Sequence, residues 1–203
     1  MEAAFRFRCL AEKLPDEKLR TATHIEVYLY GSRSATGKGH GTDRAVTAGL
    51  LGWRPETCDT KALSGLLDNK TGIHIKIKNL TIPFTRDNIC FDKIQHSFPF
   101  SNTIVLRLMS HTRALIEKEY YSIGGGFLRC KDEPEPERPR PPYAYNNMAG
   151  LKKILNTENI SLDELILQNE KAVSGKTRKH IFSEVDKILS AMENSVKAGM
   201  KAK

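Results

Sequence analysis

Apolar residues at Ala3, Ala4, Phe7, Leu10 and Leu14 recur three or four positions apart, the spacing of one buried helix face. They predict an amphipathic helix that opens the chain without a cap and ends near Pro15. The period then shortens. Ile25, Val27 and Leu29 alternate with Glu26, Tyr28 and Tyr30, as in a strand covered on one face, and Ile73, Ile75 and Ile77 alternate with His74, Lys76 and Lys78 in the same way. Further strands are predicted over 103–109 and 114–122, and short helices over 43–51, stopped by Gly52, and over 61–67. After residue 143 only helical spacing remains. Asn146 or Asn147 caps a helix with Met148, Leu151, Ile154 and Leu155 on one face, and Ser161 with Glu164 forms a capping box for the next. Ile181, Val185, Ile188, Met192 and Val196 give the last helix a continuous apolar stripe, closed by Gly199 and expected to pack on its own domain.

Strands interspersed with helices predict an α/β fold, an α+β sandwich with a mixed sheet and flanking helices, followed by a helical C-terminal segment. Pro134, Pro136, Pro139, Pro141 and Pro142 alternate with charges and exclude a helix or central strand there. The expected organisation is a strand-rich domain over 1–130, an extended linker over 131–142 and a helical part over 143–203.

Composition changes this picture in two places. The net charge of +8 and a pI near 9.3 raise nucleic-acid binding, but the basic residues are scattered among acidic neighbours and form no phosphate-tracking patch, so no nucleic-acid partner is expected. Cys9, Cys58, Cys90 and Cys130 are far apart with no C-x-x-C pair and no signal-like segment before them, which fits free thiols in a reducing cytoplasmic setting. No apolar run approaches the length of a membrane span. His24, His74, His96, His111 and His180 show no metal-ligand spacing.

Candidate chemistry concentrates in segment 30–43, which reads Tyr-Gly-Ser-Arg-Ser-Ala-Thr-Gly-Lys-Gly-His-Gly-Thr-Asp. It leaves a strand, crosses a glycine-punctuated loop and opens a helix at Thr42 or Asp43. Glycines allow a close backbone approach, and a helix N-terminus offers free N–H donors to an anion or carboxylate. A P-loop is excluded because five residues separate Gly31 from Gly37 and Lys38 is followed by Gly39; a dinucleotide fingerprint is excluded because Gly37, Gly39 and Gly41 give G-x-G-x-G. His40 is the candidate for proton relay or substrate orientation. Lys38 is either a carboxylate contact or an exposed loop lysine. Ser32 and Ser34 could donate to a ligand carboxylate or hydroxyl, and Thr42 and Asp43 fit helix caps as well as ligand contacts. Gly124, Gly125 and Gly126 read either as a backbone nest for an anion or as a turn ending a strand.

Segment 30–43, followed by Tyr120-Tyr121-Ser122-Ile123-Gly124-Gly125-Gly126-Phe127, then Pro142-Tyr143 and Gln168-Asn169-Glu170, resembles the β-domain of bacterial iron–sulfur L-serine dehydratases over nearly the whole chain. The resemblance implies a fold similar to the allosteric-substrate-binding domain of phosphoglycerate dehydrogenases and a share in converting L-serine to pyruvate and ammonia. It implies a catalytic His40, and substrate contacts from Ser32, Ser34, Lys38, Gly39, Thr42, Asp43, Gly124, Gly125, Gly126, Asn169 and Glu170. For Asn169 and Glu170, residue spacing alone suggests only a solvated helix face. The family's 4Fe-4S cluster lies in a separate α-domain or α-chain, so no metal ligand is expected among these cysteines. Such an α-part and L-serine are the implied partners, in a homo- or hetero-oligomer. The family also carries a Ser-Ser-Ser-His-Thr run before a Gly-Pro-Met, with Met1 matching that methionine, so the sequence is expected to be a piece of the whole enzyme and inactive alone. The alternative is a regulatory module that binds L-serine or another effector without catalytic residues.

Overall fold

The computed structural model describes residues 1–68, 72–92, 94–131, 133–134 and 139–201. The chain forms two compact units, Met1–Glu135 and Pro136–Lys203. The first contains helices α1 (Glu2–Glu12) and α2 (Asp16–Leu19), strand β1 (His24–Leu29), helices α3 (Ser32–Thr36), α4 (Thr42–Leu50) and α5 (Thr60–Ser64), and strands β2 (Ile73–Ile77) and β3 (Leu80–Phe84). A 3-10 turn (Arg86–Asn88) then leads into β4 (Ile89–Phe91), β5 (Thr103–Ser110), β6 (Arg113–Ser122) and β7 (Leu128–Cys130). The second unit holds α6 (Met148–Glu158), α7 (Leu162–Ser174) and α8 (Arg178–Lys201).

The main sheet is mixed, as expected, and the fold is of the α+β class. Its order is β4-β1-β5-β6-β7, with β4 parallel to β1 and every other pair antiparallel. A parallel pair needs a long crossover, and the chain supplies it with α3, α4, α5 and the β2–β3 hairpin. The one-faced alternation of β1 is realised: Ile25, Val27 and Leu29 are fully buried, while His24, Glu26 and Tyr28 are half-buried on the other face. Phe7, Ala4 and Ala11 of α1, Val46 and Leu50 of α4, and Ile75, Ile77, Ile82 and Phe84 of the hairpin belong to the same core cluster. Arg8 ties the helices together by donating from Nη1 to the Leu50 carbonyl at 2.9 Å, which satisfies an orphan acceptor at the C-terminal end of α4.

Several expectations need correction. Segment 30–43 is not loop throughout, because residues 32–36 wind into α3. The helix expected over 61–67 is the shorter α5, capped by the Asp59 side chain and ended at Gly65. Strand β3 was not predicted, since Pro83 reads as a breaker; Pro83 lies opposite His74 at a non-hydrogen-bonded pair of a two-stranded hairpin, where no ladder donor is missed. The three-residue strands β4 and β7 are too short to show a period.

In the helical unit, Asn147 caps α6 by accepting from the Gly150 N–H. Ser161 caps α7, but the reciprocal half of the box is replaced: the Glu164 carboxylate accepts from Gln168 at 2.9 Å and faces Arg178 at 3.4 Å. The stripe on α8 does not pack away. No residue of α8 is buried, and the helix continues past Gly199 to Lys201. Of the residues predicted for the linker, 132 and 135–138 lie outside the described set.

Replacing Phe7, at 0 % exposure, with alanine is expected to lower stability by about 3–5 kcal/mol through lost transfer and a residual cavity. Ile188→Ser, on the open face of α8, is expected to change it by less than about 0.5 kcal/mol. Urea midpoints of the two variants check the contrast.

Candidate functional site

The chain leaves β1 at Tyr30 and is clamped at once. A side chain at Gly31 would overlap the Ser101 carbonyl oxygen, so only glycine lets segment 94–102 lie across this point. His96 holds the crossing: the Phe98 N–H donates to its Nδ1 at 3.2 Å, which leaves the proton on Nε2 to donate to the Ser101 carbonyl at 3.1 Å. The Tyr30 ring packs edge-on to Phe98, with centroids 4.7 Å apart. Burial, and then the Asp92 carboxylate facing it, pushes the Tyr30 phenol up to about 12, so it stays neutral at working pH.

The hydroxyls that follow are committed inside the protein. Ser32 Oγ donates to Asn102 Oδ1, Ser34 Oγ donates to the Asp92 carbonyl, and Thr36 Oγ1 donates to the Ser32 carbonyl at 2.9 Å. Any ligand contact by Ser32 or Ser34 would therefore use oxygen lone pairs. Residues 36–42 then wind through tight turns, with His40 N–H donating to Thr36 O at 3.2 Å and Thr42 N–H to Gly37 O at 2.9 Å. The N-cap of α4 is Gly41, whose backbone is left-handed and makes no side-chain cap bond, so neither Thr42 nor Asp43 is the cap. Asp43 instead sits in the first turn, where its carboxylate accepts from the Arg44 N–H at 2.9 Å.

Five of the predicted residues line one or the other of two clefts. The larger, of about 670 Å³, is lined by Lys38, Asp43, Arg44, Arg86, Asp87 and Phe91, among others. Its charges are largely paired: Asp43, at 9 % exposure, lies 3.4 Å from Arg86, and Asp68 lies 3.1 Å from Arg44 and 3.5 Å from Arg86. Lys38 sits with its ammonium 5.2 Å from the centre of the Phe91 ring. The smaller cleft, of about 200 Å³, brings His40 and Thr42 together with Asn102, Ser122 and Gly126 over a floor that includes Val46, Ile104 and Leu128. Gly39 is exposed between turns and lines neither cleft. Asn102 carried no signal in the sequence, and Ser122 stood out only within the run 120–127, because a lone Asn or Ser gains meaning as a site residue only once β5 and β6 bring it to the same end of the sheet.

Gly126 reaches the small cleft through a tight turn. Gly124, Gly125 and Gly126 have φ of 93°, 56° and 81°, a run of left-handed backbone that side-chain-bearing residues rarely adopt. The Phe127 N–H donates to Gly124 O at 2.9 Å and the Ile123 N–H to Phe127 O at 3.2 Å, closing the hairpin from β6 into β7. Behind it, the buried Tyr120 hydroxyl has no hydrogen-bond partner among the described residues, and burial pushes its phenol well up.

Asn169 and Glu170 lie in the helical unit. Asn169 is a structural clamp: its Oδ1 accepts from the Tyr143 N–H and its Nδ2 donates to the Tyr143 carbonyl, both at 2.9 Å. Glu170 is exposed and lines an apolar groove of about 460 Å³ that also includes Ile166, Ile181 and Phe182.

A metal cluster has no seat among these groups. Cys9 and Cys58 are half-buried, Cys90 is exposed and Cys130 is buried, all as free thiols. Among the described residues no three His, Cys, Asp or Glu side chains converge as a metal site requires, so the four thiols do not fit a four-iron cluster. Nor, among them, is any helix long and apolar enough to cross a membrane.

A mixed α+β module, with a small pocket built at the exit of strand β1, is the type of protein these features define. Residues 1–133 match the serine dehydratase beta chain family, and the chain belongs to it. It is 28% identical to an L-serine dehydratase of Haemophilus influenzae over 185 residues, covering 88% of this chain and 40% of that protein. It is 29% identical to L-serine dehydratase TdcG of Escherichia coli over 204 residues (93% and 43%), and 29% identical to an L-serine dehydratase of Streptomyces coelicolor over 175 residues (81% and 38%). The chain thus spans about two fifths of the length of these relatives.

Asn169→Ala removes both bonds to Tyr143. It is expected to destabilise the helical unit by about 1–3 kcal/mol and to speed hydrogen exchange at the Tyr143 amide, which amide-resolved exchange would read directly.

Proposed function

We propose that this chain is the β-part of an L-serine dehydratase, a lyase that converts L-serine to pyruvate and ammonia, and that it contributes His40 and the glycine turns to the substrate site. The observation that carries this reading is the small cleft itself. It joins His40 and Gly126, from the two glycine segments that are far apart in sequence, in one pocket of about 200 Å³. That is below the usual size of a drug-sized site and suits a small polar metabolite. The relatives' names supply the substrate.

The reaction requires removal of the α-proton and departure of the β-hydroxyl as water. The resulting aminoacrylate tautomerises to an imine, which water hydrolyses to pyruvate and ammonia. His40 is the imidazole of this chain assigned to the proton, because it is exposed at the pocket and has no competing hydrogen bond among the described residues. Assistance to the departing hydroxyl falls to groups outside this chain, in a companion α-part that carries the iron–sulfur cluster.

Two measurements test the division of labour. Pyruvate formation from L-serine under anaerobic conditions is expected only when the chain is combined with a matching α-part; turnover by the chain alone would refute the reading. In the assembled enzyme, His40→Gln is expected to lower kcat by about 10²–10⁴-fold, the usual contribution of acid–base catalysis, with KM changed only a few-fold. Unchanged kcat with altered effector response would instead assign the pocket to regulation.

A further inference from the structure

We propose that the Asn102 carboxamide binds the substrate carboxylate in the His40 pocket and that Ser32 is the positioning residue that holds it there. The inference rests on the reading of that pocket as an L-serine site, and goes beyond it by naming the group that recognises the substrate's invariant end.

An asparagine side chain offers one acceptor oxygen and two N–H donors. In Asn102 the acceptor is taken, because Oδ1 receives the Ser32 hydroxyl. The backbone carbonyl is taken as well, receiving the Ser122 N–H at 2.9 Å. The polar group left over is the Nδ2 amide, which has no partner among the described residues, in a residue that lines the pocket. A lone NH₂ on a residue lining a small pocket favours an acceptor-only ligand group, and the carboxylate is the acceptor-only part of an α-amino acid.

The one acidic side chain of the lining, Glu2, is paired with Arg6 at 2.8 Å, and the other polar neighbours complement the amide. The Thr42 and Ser122 hydroxyls line the same cleft with no hydrogen-bond partner among the described residues, and each can donate or accept. His40 stands in the pocket at the proton-handling position. Among these polar side chains, Asn102 is the one that can offer only donors. Ser32 performs a task its sequence context did not suggest: as the first residue of α3, reaching Asn102 just ahead of β5, it holds the carboxamide oxygen and leaves the amide end unpaired.

The test uses the 203-residue chain, isotopically labelled, titrated with L-serine, L-serinamide and 2-aminoethanol. L-Serine is expected to shift the Asn102 side-chain NH₂ resonances together with the His40 and Gly126 amides, while 2-aminoethanol, which lacks the carboxylate, leaves the Asn102 NH₂ in place. Asn102→Asp exchanges the donor for a negative oxygen. It is expected to weaken L-serine at least tenfold and to reverse the preference for L-serine over L-serinamide, a change that a merely structural role would not produce. Ser32→Ala, a milder change, is expected to weaken L-serine about three- to tenfold by freeing the carboxamide to rotate. Shifts at His40 and Gly126 without any at Asn102 would overturn this assignment and leave the serine site standing. Equal loss of both ligands in Asn102→Asp would likewise overturn it. Absence of any shift with L-serine would sink both the assignment and the reading beneath it.

Discussion

The buried face of β1 is the constraint on which the site depends. Ile25, Val27 and Leu29 are at 0 % exposure, and the strand is bonded on one side to β4 and on the other to β5, so it can neither slip nor rotate without exposing core on one face. Its end therefore points the chain in one direction at Tyr30. From there three fastenings act in succession: the Gly31 crossing beneath Ser101, the Ser32 bond to Asn102 and the Ser34 bond to the Asp92 carbonyl. Each joins the segment after β1 to residues that follow β4 or precede β5, the two strands that flank β1. A pocket built on such a base inherits the rigidity of the sheet even though most of its polar groups sit on turns.

The charge pattern divides the two clefts by purpose. At the larger one, Asp43 and the nearby Asp68 answer Arg44 and Arg86, which fastens α4 to the 3-10 turn before β4. Such partly exposed pairs contribute modestly to stability, and their value here is positional. In the smaller one the polar side chains are mostly unanswered. That contrast, more than size, is why the small pocket is the better candidate for chemistry.

Much of the fold could be read from periodicity. Strand β1 and the predicted β2, β5 and β6 declared themselves by alternation or by continuous apolar runs, and α1, α4 and α7 by helical patterning, because each buries at least part of one face, and β5 nearly all of both. What escaped has physical causes. Strand β3 alternates perfectly at Leu80, Ile82 and Phe84, but Pro83 masked it; α3 hides in a run whose glycines read as loop. The stripe on α8 was visible, but spacing along one helix cannot say whether anything covers it. His40, Thr42 and Gly126 were singled out from residue types and share a pocket, whereas Lys38 and Asp43 line a different one. Ser32 and Ser34 drew attention as hydroxyls in a glycine-rich segment and Asn169 through the resemblance alone, and all three make hydrogen bonds within the protein.

The fastenings around Gly31 grip main chain more than side chain. His96 and Gly31 both engage the carbonyl of residue 101, and Ser34 engages the carbonyl of residue 92, neither of which depends on what side chain is attached there. Evolutionary drift at 101 is accordingly cheap for the lock, while drift at 31, 34 or 96 breaks it. Tolerance and intolerance to substitution are thus interleaved within a few ångströms, and a residue's nearness to the pocket is a poor guide to how freely it can vary.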